Sequence, residues 1–198
     1  MNTNSEVRRW RREGKWRSDR EGLFFSSLRI TFQRFFLPES DIIDEAPPSL
    51  GALPVASIGH SKFLLPVAPP EAFWIGLSSR DETRFDVAIR ADFGEVCALD
   101  LFGGSSCDGE TAAWLSVPPR RVVAGIPTGA HFRVFGKTSE QQELKTLRFL
   151  ARRCQDSKES AAACELHLVD YASYSARTGL PEPEAIDRDA GYKGYMLP

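Results

Sequence analysis

Between Glu71 and Gly136 the chain reads Phe73-Trp74-Ile75, then Phe85-Asp86-Val87-Ala88-Ile89, Val96 to Phe102, Trp114-Leu115-Ser116-Val117, Arg121 to Ile126 and Phe132-Arg133-Val134-Phe135. Each is a short apolar, β-prone stretch, and clusters of glycine, proline, serine or aspartate separate most of them. Short strands spaced roughly 8–12 residues apart favour an antiparallel sandwich or barrel over alternating strand–helix units. The clearest is Phe85-Asp86-Val87-Ala88-Ile89-Arg90, in which Phe85, Val87 and Ile89 alternate with Asp86, Ala88 and Arg90. A period of two puts the three large apolar side chains on one face. Asp92-Phe93-Gly94 reads as the turn that leads to Val96.

Working outward, Leu28-Arg29-Ile30-Thr31-Phe32-Gln33 alternates in the same way and predicts a half-buried strand. Ser61 to Val67 predicts another, with Pro66 marking a strand end or an edge. Residues 38–54 hold four prolines and the acids Glu39, Asp41, Asp44 and Glu45, which suits an extended connector. Downstream, Ser139 with Gln142 fits a capping box, and Leu144, Leu147, Leu150, Ala151 and Cys154 recur at helical spacing. One helix near 139–154 is therefore expected, covering an open end or a face of the sheet. Cys164, Leu166 and Leu168 alternate with Glu165, His167 and Val169, predicting a last strand.

The expected organisation is a basic, aromatic N-terminal arm over 1–24, a single β-rich domain over 25–175 and a C-terminal tail over 176–198. The expected fold class is mainly β: an antiparallel sandwich or barrel with one covering helix and extended terminal segments. The 198 residues are 42% apolar, enough for a substantial core, and 13 prolines with 15 glycines favour turns over long helices. A net charge of -2 excludes a general polyanion binder. No stretch approaches the roughly 20 apolar residues that span a bilayer. The first residues lack a secretory apolar core, so a cytoplasmic location is expected; their arginines leave organelle import open as an alternative. Cys97/Cys107 and Cys154/Cys164 share one gap, which is not the two-residue spacing of zinc or thioredoxin-like sites. Free thiols, no metal and no cofactor are the expectation.

The strongest local charge asymmetry is Arg8 to Arg20, with seven basic and two acidic residues around Trp10 and Trp16. Arg8, Arg9, Arg11, Arg12 and Lys15 suit an acidic surface or phosphates, and the two tryptophans suit stacking. The plain alternative is a solvated terminus, or an arm paired with the connector's acids. Tyr192 and Tyr195 sit near Met196-Leu197 in the tail, a composition that favours packing on a half-wet surface. Gly103-Gly104-Ser105-Ser106-Cys107-Asp108-Gly109 lacks the Gly-Lys-Ser/Thr end of a phosphate loop and is not a Gly-x-Ser-x-Gly elbow, so a connecting loop is its simplest role. His60, His131 and His167 form no sequence motif.

Function is thus expected to be non-enzymatic: a β scaffold presenting the arm and tail to a protein partner or to further copies of itself. Arg8, Arg9, Trp10, Arg11, Arg12, Lys15, Trp16, Tyr192 and Tyr195 are the expected contact residues. A small enzyme or small-molecule binder with a pocket at one end of the sheet is the alternative, with His60, His131, Cys107 and Asp108 as its first candidates. A nucleic-acid-associated protein using the arm is the third.

Overall fold

A computed structural model describes residues 15–69, 71–93, 99–101, 114–136, 144–154 and 161–186. Along them run β1 (Trp16–Asp19), β2 (Gly22–Phe25), β3 (Leu28–Phe36), β4 (Ile42–Ile43), β5 (Ala56–Gly59), β6 (Lys62–Pro66), β7 (Glu71–Ser79) and β8 (Phe85–Asp92). Then follow β9 (Leu99–Asp100), β10 (Leu115–Val117), β11 (Arg121–Val123), β12 (Ile126–Thr128), β13 (His131–Arg133), β14 (Phe135–Gly136), β15 (Thr146–Arg153), β16 (Ala162–Val169) and a helix, α1 (Tyr171–Thr178). One main sheet has the order β1-β2-β3-β7-β11, with β14 also on β7; the other has β10-β8-β15-β16-β6-β5, with β9 on β8. A small third sheet is β12-β13-β4. Pairing among these strands is antiparallel except for the parallel pair β16–β6. Neither long order returns to its first strand, so among the described residues the two sheets are open and stack as a sandwich.

The alternation read from the sequence builds the core. Leu28, Ile30 and Phe32 of β3 and Phe73, Ile75 and Leu77 of β7 meet Phe85, Val87 and Ile89 of β8 and Leu147, Phe149 and Ala151 of β15, all fully buried. Rings interlock between the sheets, Phe32 with Phe149 at 6.0 Å and Phe25 with Phe85 at 6.2 Å, both edge-to-face. Each such side chain contributes about 1.5–3 kcal/mol by leaving water. β7 is buried on both faces along most of its length. Trp74 turns away from the main core to join Phe35, Ala72 and Val134, and its Nε1 donates to the Pro47 carbonyl at 2.9 Å. The proline-rich connector is therefore packed onto the outer face of the first sheet, with Leu53 and Val55 reaching the main core.

Two expectations need correction. The stretch expected as a helix near 139–154 contains strand β15, bonded to β8 on one side and β16 on the other. Leu147 and Ala151 satisfy both periods, but Phe149 falls off the apolar face of a helix and on the buried face of a strand. The capping residues Ser139 and Gln142 lie outside the described residues. The described helix is α1, where Asp170 caps the start by accepting from the Ser173 amide at 2.7 Å and Gly179 closes it in the left-handed region. Finally, Trp16 is no arm residue: β1 and β2 belong to the first sheet, and Trp16 is buried at 5.2 Å from the Phe25 ring and 6.5 Å from Phe149. Trp16–Asp19 thus belong to the first sheet, inside the region assigned to the arm.

A buried polar latch fixes α1 to the sandwich. Glu71 is 2% exposed. Tyr171 Oη donates to its carboxylate at 2.6 Å, and Arg34 Nη1 lies 3.6 Å from it. The same Arg34 nitrogen donates to the Glu184 carbonyl at 2.7 Å, holding the segment after α1. Burial, and then the neighbouring Glu71, pushes the Tyr171 phenol well above its ordinary 10.0.

Candidate functional site

The expected site residues that the structure describes, Lys15, Trp16, His60 and His131, sit on separate elements. Arg8, Arg9, Trp10, Arg11, Arg12, Cys107, Asp108, Tyr192 and Tyr195 lie outside the described residues. Lys15 is exposed just before β1, whereas Trp16 is part of the core. His60 is exposed in the turn between β5 and β6 of the second sheet. His131 is exposed on β13 of the third sheet, its Nδ1 2.6 Å from Asp44 Oδ1. Among the described residues no group of three His, Cys, Asp or Glu side chains could hold a metal ion. No described helix is long and apolar enough to cross a membrane.

Two hollows remain. The first, of about 290 Å³, lies on the outer face of the second sheet and is lined by Arg90, Asp92, Thr146, Arg148, Glu165 and His167. Register assembles it: Asp92, Thr146 and His167 stand in one row, and Arg90, Arg148 and Glu165 in the next. Arg148 donates to Glu165 at 2.7 Å, and Thr146 Oγ1 lies 3.3 Å from His167 Nδ1. The composition suggests a hydroxyl–imidazole–carboxylate relay, but the geometry does not provide one. Glu165 Oε2 is 3.8 Å from His167 Nε2, beyond hydrogen-bond reach, and Glu165 is engaged by Arg148. In the middle of a sheet the backbone N–H groups are bound in the ladder, so they cannot serve as oxyanion donors. Beside this hollow Arg152 lies 4.4 Å from the centre of the Trp114 ring while also binding Asp86, so Trp114 faces outward but is capped by an arginine. Burial, and the Asp86 carboxylate that its thiol contacts at 3.2 Å, raises the Cys154 pKa, which disfavours a thiolate nucleophile.

The charged face has a readable pH dependence. Burial lowers the His167 pKa below 6.5, so the unfolded chain takes up that proton first. The associated stability is present above pH 6.5 and is lost as pH falls below it. Glu165 is held below 4.5 chiefly by the Arg148 hydrogen bond. Burial raises Asp86 and Asp81, but hydrogen bonds from Cys154, Ser116 and Arg152 to the first, and from Thr83, Ser27 and Ser79 to the second, outweigh it and leave both below 3.8. Their contributions disappear as pH falls through the carboxylate range near about 4. Urea midpoints should therefore begin to drop below pH 6.5 and drop more steeply in the carboxylate range. His167→Gln should remove only the first part; an unchanged profile in that variant would contradict the assignment.

The second hollow is an apolar groove of about 600 Å³ between β10, β11 and the third sheet. Leu115, Val122, Val123 and Phe132 form its walls, and Asp44, Glu45 and Arg121 are the charged residues on its lining. Val122 and Val123 are successive residues of an edge strand, so only one can face the core: Val123 is buried and Val122 is 49% exposed. Gly125 is needed beside it, because a Cβ there would meet the Arg133 carbonyl oxygen at 2.3 Å and push β13 with Phe132 outward. Sequence reasoning missed this groove. Its one local signal is the Val122-Val123 pair, two large β-branched residues in a row where strict alternation would place one polar side chain.

The fold and groove define a two-sheet β-sandwich with a third small sheet walling an apolar cleft that carries two acids and one arginine. No protein-family model, curated protein or solved structure matches the chain.

Proposed function

We propose that this protein is a non-enzymatic binding and assembly module whose contact site is the groove walled by β10, β11 and β13, and that the groove takes an extended segment carrying arginine and an aromatic side chain. The observation that carries this reading is the pairing of a half-exposed valine wall with two carboxylates. Val122, Val123 and Phe132 offer an aromatic ring an apolar seat, and Asp44 and Glu45 offer guanidinium groups a partner in the same concavity. Among the described residues β11 ends the hydrogen-bonded order of its sheet, which offers an extended segment a strand edge.

The test uses the full chain, isotopically labelled, and a short peptide of alternating arginine and tryptophan unrelated to this sequence. Saturable shifts at the amides of Val122, Val123, Phe132 and Asp44, lost in Val122→Glu, are the expected result. Shifts spread evenly over every acidic surface, or none at all, would overturn the proposal.

A further inference from the structure

The geometry points to the Arg8-Arg9-Trp10-Arg11-Arg12 segment of a second copy of this chain as the occupant of the groove, so that the protein assembles through its own arm. This rests on the groove being a binding site, as set out above, and names what fills it.

Chemical fit comes first. The groove calls for an aromatic ring flanked by cations, and residues 8–12 place one tryptophan among four arginines. Trp10 would sit against Val122 and Phe132, leaving the flanking arginines to reach Asp44 and Glu45. Neighbouring arginines favour this over an uncharged apolar segment, which would offer no charge partner to Glu45 and none to Asp44 beyond the His131 contact it already has.

Topology then selects another copy over the same molecule. The arm enters the fold at β1, one edge of the first sheet, and the groove lies at β11, the opposite edge. Four strand spacings separate the two edges, about 19 Å. Register adds to this distance. Trp16 pairs with Phe25, which stands in the row of Leu28 and Ser79, whereas Val122 stands opposite Gly76 in the row of Thr31. The offset of three residues is about 10 Å along the strands, giving a straight-line separation of about 22 Å. Trp10 lies six residues before Trp16, and six residues fully extended reach about 20–22 Å. The straight line between the two edges lies within the packed strands of the sheet, so a segment that must pass around them cannot cover that span. A neighbouring copy has no such restriction. The resulting contact is head-to-tail, the arm of one copy in the groove of the next, and it extends or closes into a ring according to the rotation between copies.

The experiment measures mass against concentration by sedimentation for the full chain and for two full-length variants. In one, Trp10→Ala is combined with Arg9→Glu and Arg11→Glu; in the other, Val122→Glu is combined with Glu45→Lys. The full chain should self-associate with rising concentration, and each variant alone should stay at monomer mass. An equimolar mixture of the two should restore a dimer that grows no further, since it retains one intact arm and one intact groove. Full chain remaining at monomer mass would overturn the proposal, as would association undiminished in either variant. Groove shifts that depend on Trp10 but not on concentration would place the arm within its own molecule and also overturn it. If the unrelated arginine–tryptophan peptide still binds at Val122 in those cases, only the source of the occupant is wrong; if it does not, the groove reading fails as well.

Discussion

Replacing Phe149 by alanine is expected to destabilise the protein by about 3–5 kcal/mol, the range for removing a large aromatic side chain from a closed core. Phe149 is fully buried at the centre of β15, with its ring 6.0 Å from Phe32 and 6.5 Å from Trp16 on the facing sheet. Two strands pair with β15, so its backbone cannot easily shift to fill the space. The next residue provides the control. Leu150 points to the other face of the strand and is only partly buried. Leu150→Ala should therefore cost much less, whereas in a helix with Leu147, Leu150 and Ala151 on its buried face the order of the two effects would be reversed. Urea unfolding followed by tryptophan fluorescence measures both, and a larger loss in Leu150→Ala would contradict the strand.

Arg34→Ala should be nearly as damaging, at about 3–5 kcal/mol, because it removes the cation beside a carboxylate that stays buried. Glu71 would keep the Tyr171 hydrogen bond at 2.6 Å but lose its positive neighbour. Tyr171→Phe removes one hydrogen bond and leaves the Arg34–Glu71 pair, so its cost should be nearer about 1–3 kcal/mol. Combining Arg34→Ala with Glu71→Gln should recover part of the loss, since no charge is then left buried. Arg34 also holds the Glu184 carbonyl, so hydrogen exchange should speed up in α1 and in the segment after it. Unchanged protection there, together with a loss under about 1 kcal/mol, would show that the latch does not secure the helix. Tyr171 adds an alkaline limit: its pKa is raised by burial and Glu71, so the associated stability is present below pH 10.0 and is lost as the phenol ionises at higher pH.

The groove and the latch also differ in how far they could be read in advance. Asp170 with Ser173 and Gly179 carries the ordinary signals of a helix start and stop, so α1 was open to detection from local sequence. Residues 38–54 were legible as a proline-rich connector, but not as the cover of Trp74 or a wall of the groove, since both depend on segments far away in the chain. Glu71 sits at the start of an apolar strand, and its partners Arg34 and Tyr171 are 37 positions before and 100 after it. No local pattern links them.

By itself the sequence determined the class of object: many short strands, one face of each apolar, separated by turns, and hence a mainly β fold with a large aromatic core. That follows because the period-two alternation of Leu28 to Phe32, of Phe85 to Ile89 and of Cys164 to Leu168 is a local property that each strand carries wherever it pairs. The tertiary structure alone decided the rest. Leu147 and Ala151 fit either period until β8 and β16 bond to both edges of their strand, and Trp16 belonged to a basic arm until Phe25 and Phe149 enclosed it. The groove exists only where Asp44, Val122 and Phe132 meet, because a concave surface is made by the juxtaposition of distant segments and leaves no period in any one of them.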